Sequence, residues 1–341
     1  MPDSYVKKPC VSVVIAVYNV EAYIAQCCHS LFSQTLDGIE YIFVNDHSPD
    51  NSIEVVKTVL KEYPARTNQV KIIEHPMNLG VSQTRADGVK AATGEYIIHC
   101  DPDDWVEMDM YEQMYNRAVS ENADLVMCDV FYHVSSTSYY GKEKPKELSG
   151  RSILASCLHA QRPTLHCYLW NKLVRADYYR SVIWPYNISL YEDVIACAQI
   201  LQAPLRVCYI NQAFYYYRQK KESLSHRQFT RKDAENDYAT ISLLHRHLCA
   251  LGDAELYHYW QAGVAWFMAF SLHSTDKIYT NKEYLARYRK YRHCILKDRG
   301  LAKGARFYLY LTTYNYVIPF STLQVYRRIK RFLKTGDERY E

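Results

Sequence analysis

Five carboxylates fall within nine positions of the stretch HCDPDDWVEMD: Asp101, Asp103, Asp104, Glu107 and Asp109. They follow the apolar run GEYIIHC, where a buried strand would come to the surface. Carboxylates at this density suit a hard cation. Mg²⁺ or Mn²⁺ fits best, because such an ion gives up water reluctantly and is held by one or two carboxylates plus the phosphates of a substrate. A calcium loop does not fit. Counted from Asp101, Glu112 falls at loop position twelve, but Trp105 stands at five and Val106 at six, where an oxygen ligand and a glycine are needed. The plainer alternative is capping, since acids favour the N-terminus of a following helix. Capping covers Asp104, Glu107 and Asp109. It leaves Asp101 and Asp103, which precede the helix and flank Pro102.

A second acidic pair, Glu192-Asp193, opens the apolar stretch LYEDVIACAQIL. Either residue has the chemistry of a general base. Taken alone, the pair reads as acids in the first turn of a helix.

The elements that must position these groups alternate in type. Residues 10–19 are a β-branched run that ends in polar residues, and 21–35 carry Tyr23, Ile24, Cys27, Cys28, Leu31 and Phe32 at helical spacing. Strands follow at 39–46, 70–75, 95–101 and 123–131, with helices at 51–63, 82–93 and 108–122 between them. Asp50 or Asn51 is available as a cap for the helix at 51–63, and Gly94 is placed to close the helix at 82–93. Such alternation predicts right-handed βαβ units and a largely parallel sheet covered on both faces. Ligands of these sheets bind beyond the carboxyl ends of the strands. There the chain collects Tyr18-Asn19, Asn45-Asp46 and Asp101-Pro102-Asp103-Asp104. The stretch AVYNVEAY replaces a GxGxxG after the first strand, and GxxxxGK[ST] occurs nowhere, which excludes the dinucleotide fingerprint and the P-loop.

Bulk properties exclude more. The chain has 341 residues, 48% hydrophobic, enough for a principal domain with an elaboration. A net charge of +4 gives no polyelectrolyte signal, so no nucleic-acid partner is expected. Eleven cysteines without a CxxC pair, mostly in apolar company, read as reduced thiols of a cytoplasmic protein. The stretch MPDSYVKKPC lacks the apolar segment of a signal peptide. No apolar run approaches the roughly 20 residues of a spanning helix.

The stretches VSVVIAVYNVEAYI, IEYIFVNDHSPDNS, NLGVSQTRADGVKAATGEYI and DPDDW stand in the order and approximate spacing of family 2 glycosyltransferases. WNKLVRADYY, ISLYEDVIACAQIL and VCYINQAFYYYRQKKESLSH resemble that family's second half, so the likeness covers about residues 10–226. The resemblance implies the GT-A fold: a Rossmann-like, mixed, mostly parallel α/β sheet flanked by helices, with a helical C-terminal extension. It divides the chain into a nucleotide-sugar-binding half at 1–130, an acceptor and catalytic-base half at 131–230, and a helical region at 231–341. It implies an inverting transferase that moves a sugar from a nucleotide sugar, UDP-linked by the commonest family usage, to a saccharide or lipid-linked saccharide in cell-surface polysaccharide synthesis. Tyr18, Asn19, Glu21 and Asp46 would hold the nucleotide base side and Gly80 the phosphate side, with Arg85 facing the phosphates or bracing the pocket. Asp103 would bind Mn²⁺ or Mg²⁺, with Asp101 or Asp104 at the ribose, the ion or a water. Asp193 would be the base, with Glu192 as orienter or acceptor contact. The family's usual residues are replaced by Ala16, Thr84 and Pro102.

The C-terminal third is plainer. Trp260, Trp266, Phe267 and Phe270 read as core aromatics. Residues 306–320 are rich in tyrosine, and Arg327, Arg328, Lys330, Arg331 and Lys334 follow. A basic amphipathic segment of this kind could lie on an anionic membrane; a solvated terminal helix is the alternative. Two other functions share a nucleotide site. A sugar-phosphate nucleotidyltransferase would want a basic, Gly-rich triphosphate loop near the N-terminus, absent here. A non-catalytic nucleotide-sugar-binding protein would not need Glu192-Asp193.

Overall fold

The computed structural model describes residues 8–158, 165–186, 188, 191–219, 231–258, 260–261 and the single positions 289, 296 and 310. β1 (Val11–Val17), β2 (Ile39–Asn45), β3 (Val70–Glu74) and β4 (Tyr96–His99) pair in parallel in the order β3-β2-β1-β4. Both faces of β1 are buried, which is why its sequence is a continuous apolar run and not an alternation. One face packs on α1 (Ile24–Phe32) and α2 (Ser52–Leu60), which contribute Cys27, Leu31, Phe32, Val56 and Val59 to the core. Phe32 meets Tyr41 edge-on at 5.5 Å. Each such buried side chain stabilises the fold by about 1.5–3 kcal/mol. α3 (Val81–Ala91) packs on β1 and β2.

The second half departs from simple alternation. α4 (Met110–Ser120) leads into β6 (Leu125–Val134), the expected fifth strand, but β8 (Lys172–Arg175) lies between β4 and β6, antiparallel to both. Arg175 closes this seam with ion pairs to Glu95 at 3.2 Å and Asp124 at 3.1 Å. β7 (Thr137–Gly141) forms a hairpin with β6, and β9 (Val207–Gln219) runs parallel to β6 on its other side. β5 (Trp105–Val106), only two residues long, pairs with Tyr215 and Tyr216 of β9. The sheet has nine strands among the described residues and is mostly parallel, as expected. α5 (Gly150–Leu158), α6 (Ala176–Arg180), α7 (Glu192–Leu201) and α8 (Arg231–Leu251) complete the described elements.

Two local expectations are corrected. Gly94 does not close α3, which ends at Ala92 in extended backbone. Gly94 instead lies against β1, where a Cβ would meet Ser12 N at 2.8 Å. Nor do the acids after β4 cap α4 through their side chains. Asp109 is the cap residue without a side-chain cap bond, Glu107 accepts from Tyr216 Oη at 2.6 Å, and Asp104 is held by β9.

Two compact units are present. The first takes Met1–Cys157, Thr164–Arg227 and Asn236–His247; the second takes Leu158–Pro163, Gln228–Glu235 and Leu248–Glu341. Trp260, in the second, is buried as expected. Trp266, Phe267, Phe270 and all but Tyr310 of residues 306–334 lie outside the described residues. Among the described residues no helix is long and apolar enough to cross a membrane.

Candidate active site

The turns after β1 and β2 are tied together by short polar side chains. Asn19 and His47 both take left-handed backbone, at φ 54° and 55°. Asn19 N–H donates to Ser48 Oγ at 2.8 Å, and Glu21 N–H to Asp50 Oδ2 at 2.8 Å. The Glu21 carboxylate accepts from the Asn51 N–H at 2.9 Å and so covers the start of α2. Burial would raise Asp50, but hydrogen bonds from Ser48, Ser52 and the Glu21 N–H outweigh it and hold it down at about 2. Tyr18 is left 47% exposed on this rim, with its ring available to a ligand.

Asp46 faces inward. His75 Nδ1 lies 2.9 Å from its Oδ1, the Leu79 N–H donates at 2.7 Å, and the Gly80 N–H donates to Oδ2 at 2.8 Å. Its carboxylate therefore anchors the segment that launches α3. Gly80 sits at φ 87°, ψ 159°, a region almost confined to glycine. Among the described residues nothing lies within 4 Å of the position a Cβ would take. Gly80→Ala should cost about 1–3 kcal/mol from backbone strain alone. A thermal melt reads this as a fall of about 1–4 °C, at roughly 1.4 °C per kcal/mol for a chain of this size.

One turn further along α3, Arg85 joins the two acidic motifs. Its Nη2 contacts Asp101 Oδ1 at 2.9 Å and its Nη1 contacts Glu192 Oε1 at 3.1 Å. The guanidinium is buried, which alone would lower it, yet Asp101, Glu192 and Asp193 raise it above its ordinary value. Two carboxylates some ninety positions apart, Asp101 and Glu192, thus meet on one cation. Tyr191, immediately before Glu192, is a third non-glycine residue in left-handed backbone, at φ 67°. Strain of this kind gathers where surrounding structure enforces a functional geometry.

The site holds a surplus of negative charge. Burial raises Asp101; Arg85 opposes this, and Asp103 and Glu192 add to it. Asp104 is pushed well up by burial and by crowding from Asp103 and Asp101. Burial, reinforced by Glu192 and opposed by Arg85, carries Asp193 up to about 7. A carboxyl poised there is both a competent acceptor and a competent carrier of a proton near neutral pH. Its Oδ1 accepts from the Val194 N–H at 2.7 Å, the bond of a first-turn acid.

Several contributors were not singled out by sequence reasoning. Tyr215 and Arg218 of β9 bind the aspartate loop. His99 and Tyr179 lie near Arg85, and the His99 ring is 5.2 Å from Tyr179 and 5.9 Å from Trp184. Burial, with help from Arg85, holds His99 well below its ordinary value and keeps it neutral. An imidazole directly before Cys100-Asp101 was the available signal.

The donor set fits a hard divalent cation of the Mg²⁺ or Mn²⁺ type. Every acid here offers oxygen, and the crowding of Asp101, Asp103 and Asp104 is what a cation would relieve. Among the described residues no three His, Cys, Asp or Glu side chains form a complete cage. An ion would therefore draw most of its shell from water and substrate oxygens, which is how these ions bind.

Residues 12–180 match the model of glycosyl transferase family 2. The uncharacterized glycosyltransferase EpsJ of Bacillus subtilis is 31% identical over 225 residues, 64% of this chain and 63% of EpsJ, so the chain matches less than two thirds of that relative's length. In fold, the chain is similar to residues 1–349 of S. aureus TarS, solved in complex with UDP, at TM-score 0.66 and 16% identity over 92% of this chain and 91% of that one. A mannosyltransferase from Pyrobaculum calidifontis, solved with GDP-Man and Mn²⁺, is similar at TM-score 0.50 and 14% identity over 92% of this chain and 88% of that one. The expected GT-A architecture is thereby shown, and residues 12–180 belong to glycosyltransferase family 2.

Proposed function

We propose that this chain moves a sugar from a UDP-sugar to a hydroxyl of a saccharide or lipid-linked saccharide acceptor in cell-surface polysaccharide synthesis, with inversion at the anomeric carbon. The observation that carries this reading is the bridge Asp101–Arg85–Glu192, at 2.9 and 3.1 Å. It sets the carboxylate loop beside the helix that carries Asp193. UDP is chosen because TarS was solved with it.

Tyr18 offers its exposed face to the base, and Gly80, with no side chain of its own, admits the ligand close to the backbone. Asp101 and Asp103 would hold the ion; Asp104 is occupied within the protein. Bound there, a divalent cation supplies positive charge against the diphosphate. Asp193 accepts the proton of the acceptor hydroxyl as that oxygen bonds to the anomeric carbon. The bond to the nucleoside diphosphate breaks on the opposite face, which inverts the centre. Glu192, fixed by Arg85, keeps Asp193 basic through its charge and is placed to orient the acceptor.

Asp103→Ala should abolish Mn²⁺-dependent UDP binding in calorimetry while leaving the melting temperature within a few degrees, since removing one of three crowded carboxylates relieves repulsion on Asp101 and Asp104. Wild-type affinity in the variant would move the ion to Asp101.

A further inference from the structure

We infer that Tyr215 and Arg218 are positioning residues for the ion-binding pair Asp101 and Asp103, and that Asp104 serves the same scaffold. The inference deepens the reading above and rests on it.

Three residues of the aspartate loop are fixed from β9. Tyr215 is fully buried, and its hydroxyl accepts from the Asp101 N–H at 3.0 Å while donating to Asp104 Oδ2 at 2.9 Å. The Arg218 N–H donates to Asp104 Oδ1 at 2.7 Å, so both oxygens of this buried carboxylate are used inside the protein. Arg218 Nε donates to the Asp103 carbonyl at 2.8 Å. The guanidinium itself is clamped. It lies 4.6 Å from the Trp105 ring and 5.3 Å from the Tyr23 ring, and it hydrogen-bonds Gln26 Oε1.

The pairing of β5 with β9 explains the precision. Val106 lies opposite Tyr215 and Trp105 opposite Tyr216, which brings the Tyr215 hydroxyl under the loop just upstream. Asp101 is thus placed by its own N–H, Asp103 by its own C=O, and Asp104 by its side chain. Mg²⁺ and Mn²⁺ demand near-octahedral ligands, so a small loop displacement is felt at the ion before it is felt in the fold. Groups that hold ligands in this way typically change metal affinity about 10–100-fold when removed.

The test uses the full chain, with Mn²⁺ titrated by calorimetry in the presence of UDP. Tyr215→Phe should raise the Mn²⁺ Kd at least about tenfold at unchanged stoichiometry, with UDP affinity restored at saturating Mn²⁺. A purely structural role would lower the stoichiometry and the Tm and leave the Kd alone; that result, or a folded variant at wild-type Kd, overturns the inference. If Tyr215→Phe fails to fold, Arg218→Gln on its partly exposed side chain decides: the same rise in Kd supports the inference and a wild-type Kd overturns it. Equal UDP binding by the wild type in EDTA and in Mn²⁺ would instead overturn the metal reading itself, and this inference with it.

Discussion

Asp193→Asn should lower kcat for sugar transfer by about 10²–10⁴-fold, the usual consequence of losing a general base. Nucleotide affinity should stay within about twofold, because the proposed role of the residue is on the acceptor. Asparagine keeps the shape and the bond from the Val194 N–H but cannot take a proton. In the wild type, kcat should rise with pH through a limb near the value of about 7 to which burial and Glu192 push this carboxyl. Below that limb the base is already protonated. The variant should lose the limb along with the rate.

The same substitution has an opposite effect on stability. The unfolded carboxyl titrates near 3.8 and the folded one at about 7. The folded state therefore binds the extra proton between these values, and stability falls as pH rises through that window. Such a displacement is worth up to about 4 kcal/mol. Water screening at the partly exposed side chain reduces it to on the order of 1–2 kcal/mol. Asp193→Asn should thus melt a few degrees higher than wild type at pH 8 and equal to it at pH 4. An unchanged pH profile together with wild-type turnover would leave Asp193 a helix-start acid.

Arg85→Met should be the most damaging single change to the fold of the site. Methionine fills the volume but leaves Asp101, Glu192 and Asp193 without their shared cation. Breaking a buried pair by removing one partner costs about 3–5 kcal/mol. For a chain of this size that is a fall of about 4–7 °C in Tm. The deficit should be larger at pH 8 than at pH 5.5, since at lower pH the orphaned carboxylates take up protons. A drop below about 2 °C at both values would show that the bridge contributes little.

The parallel half of the fold was legible because its signals are local. The runs at 10–19, 39–46 and 70–75 are strands; α1, α2 and α4 fall inside the periodic stretches that announced them, and α3 starts one residue ahead of its stretch. β8 was not legible as a spacer between β4 and β6, because its place depends on Arg175 reaching Glu95 and Asp124 far away in sequence. β5 was missed because two residues carry no periodicity. Asp101, Glu192 and Arg85 were singled out by motif, but their meeting at one point is a tertiary fact no spacing encodes. Asp46 and Asp104 show the opposite limit. A carboxylate at a strand end reads alike whether it faces a ligand or its own chain, and the structure turns both inward.

The central claim is that the carboxylate loop and Asp193 make one nucleotide-sugar transfer site. The most direct measurement is UDP formation from UDP-sugars with Mn²⁺, with and without cell-envelope saccharide acceptors, beside Asp103→Ala and Asp193→Asn. The expected result is acceptor-dependent UDP release by the wild type, absent without Mn²⁺ and lost in both variants. Tight UDP-sugar binding without release under any acceptor, or pyrophosphate formed from UTP and a sugar phosphate, would contradict it.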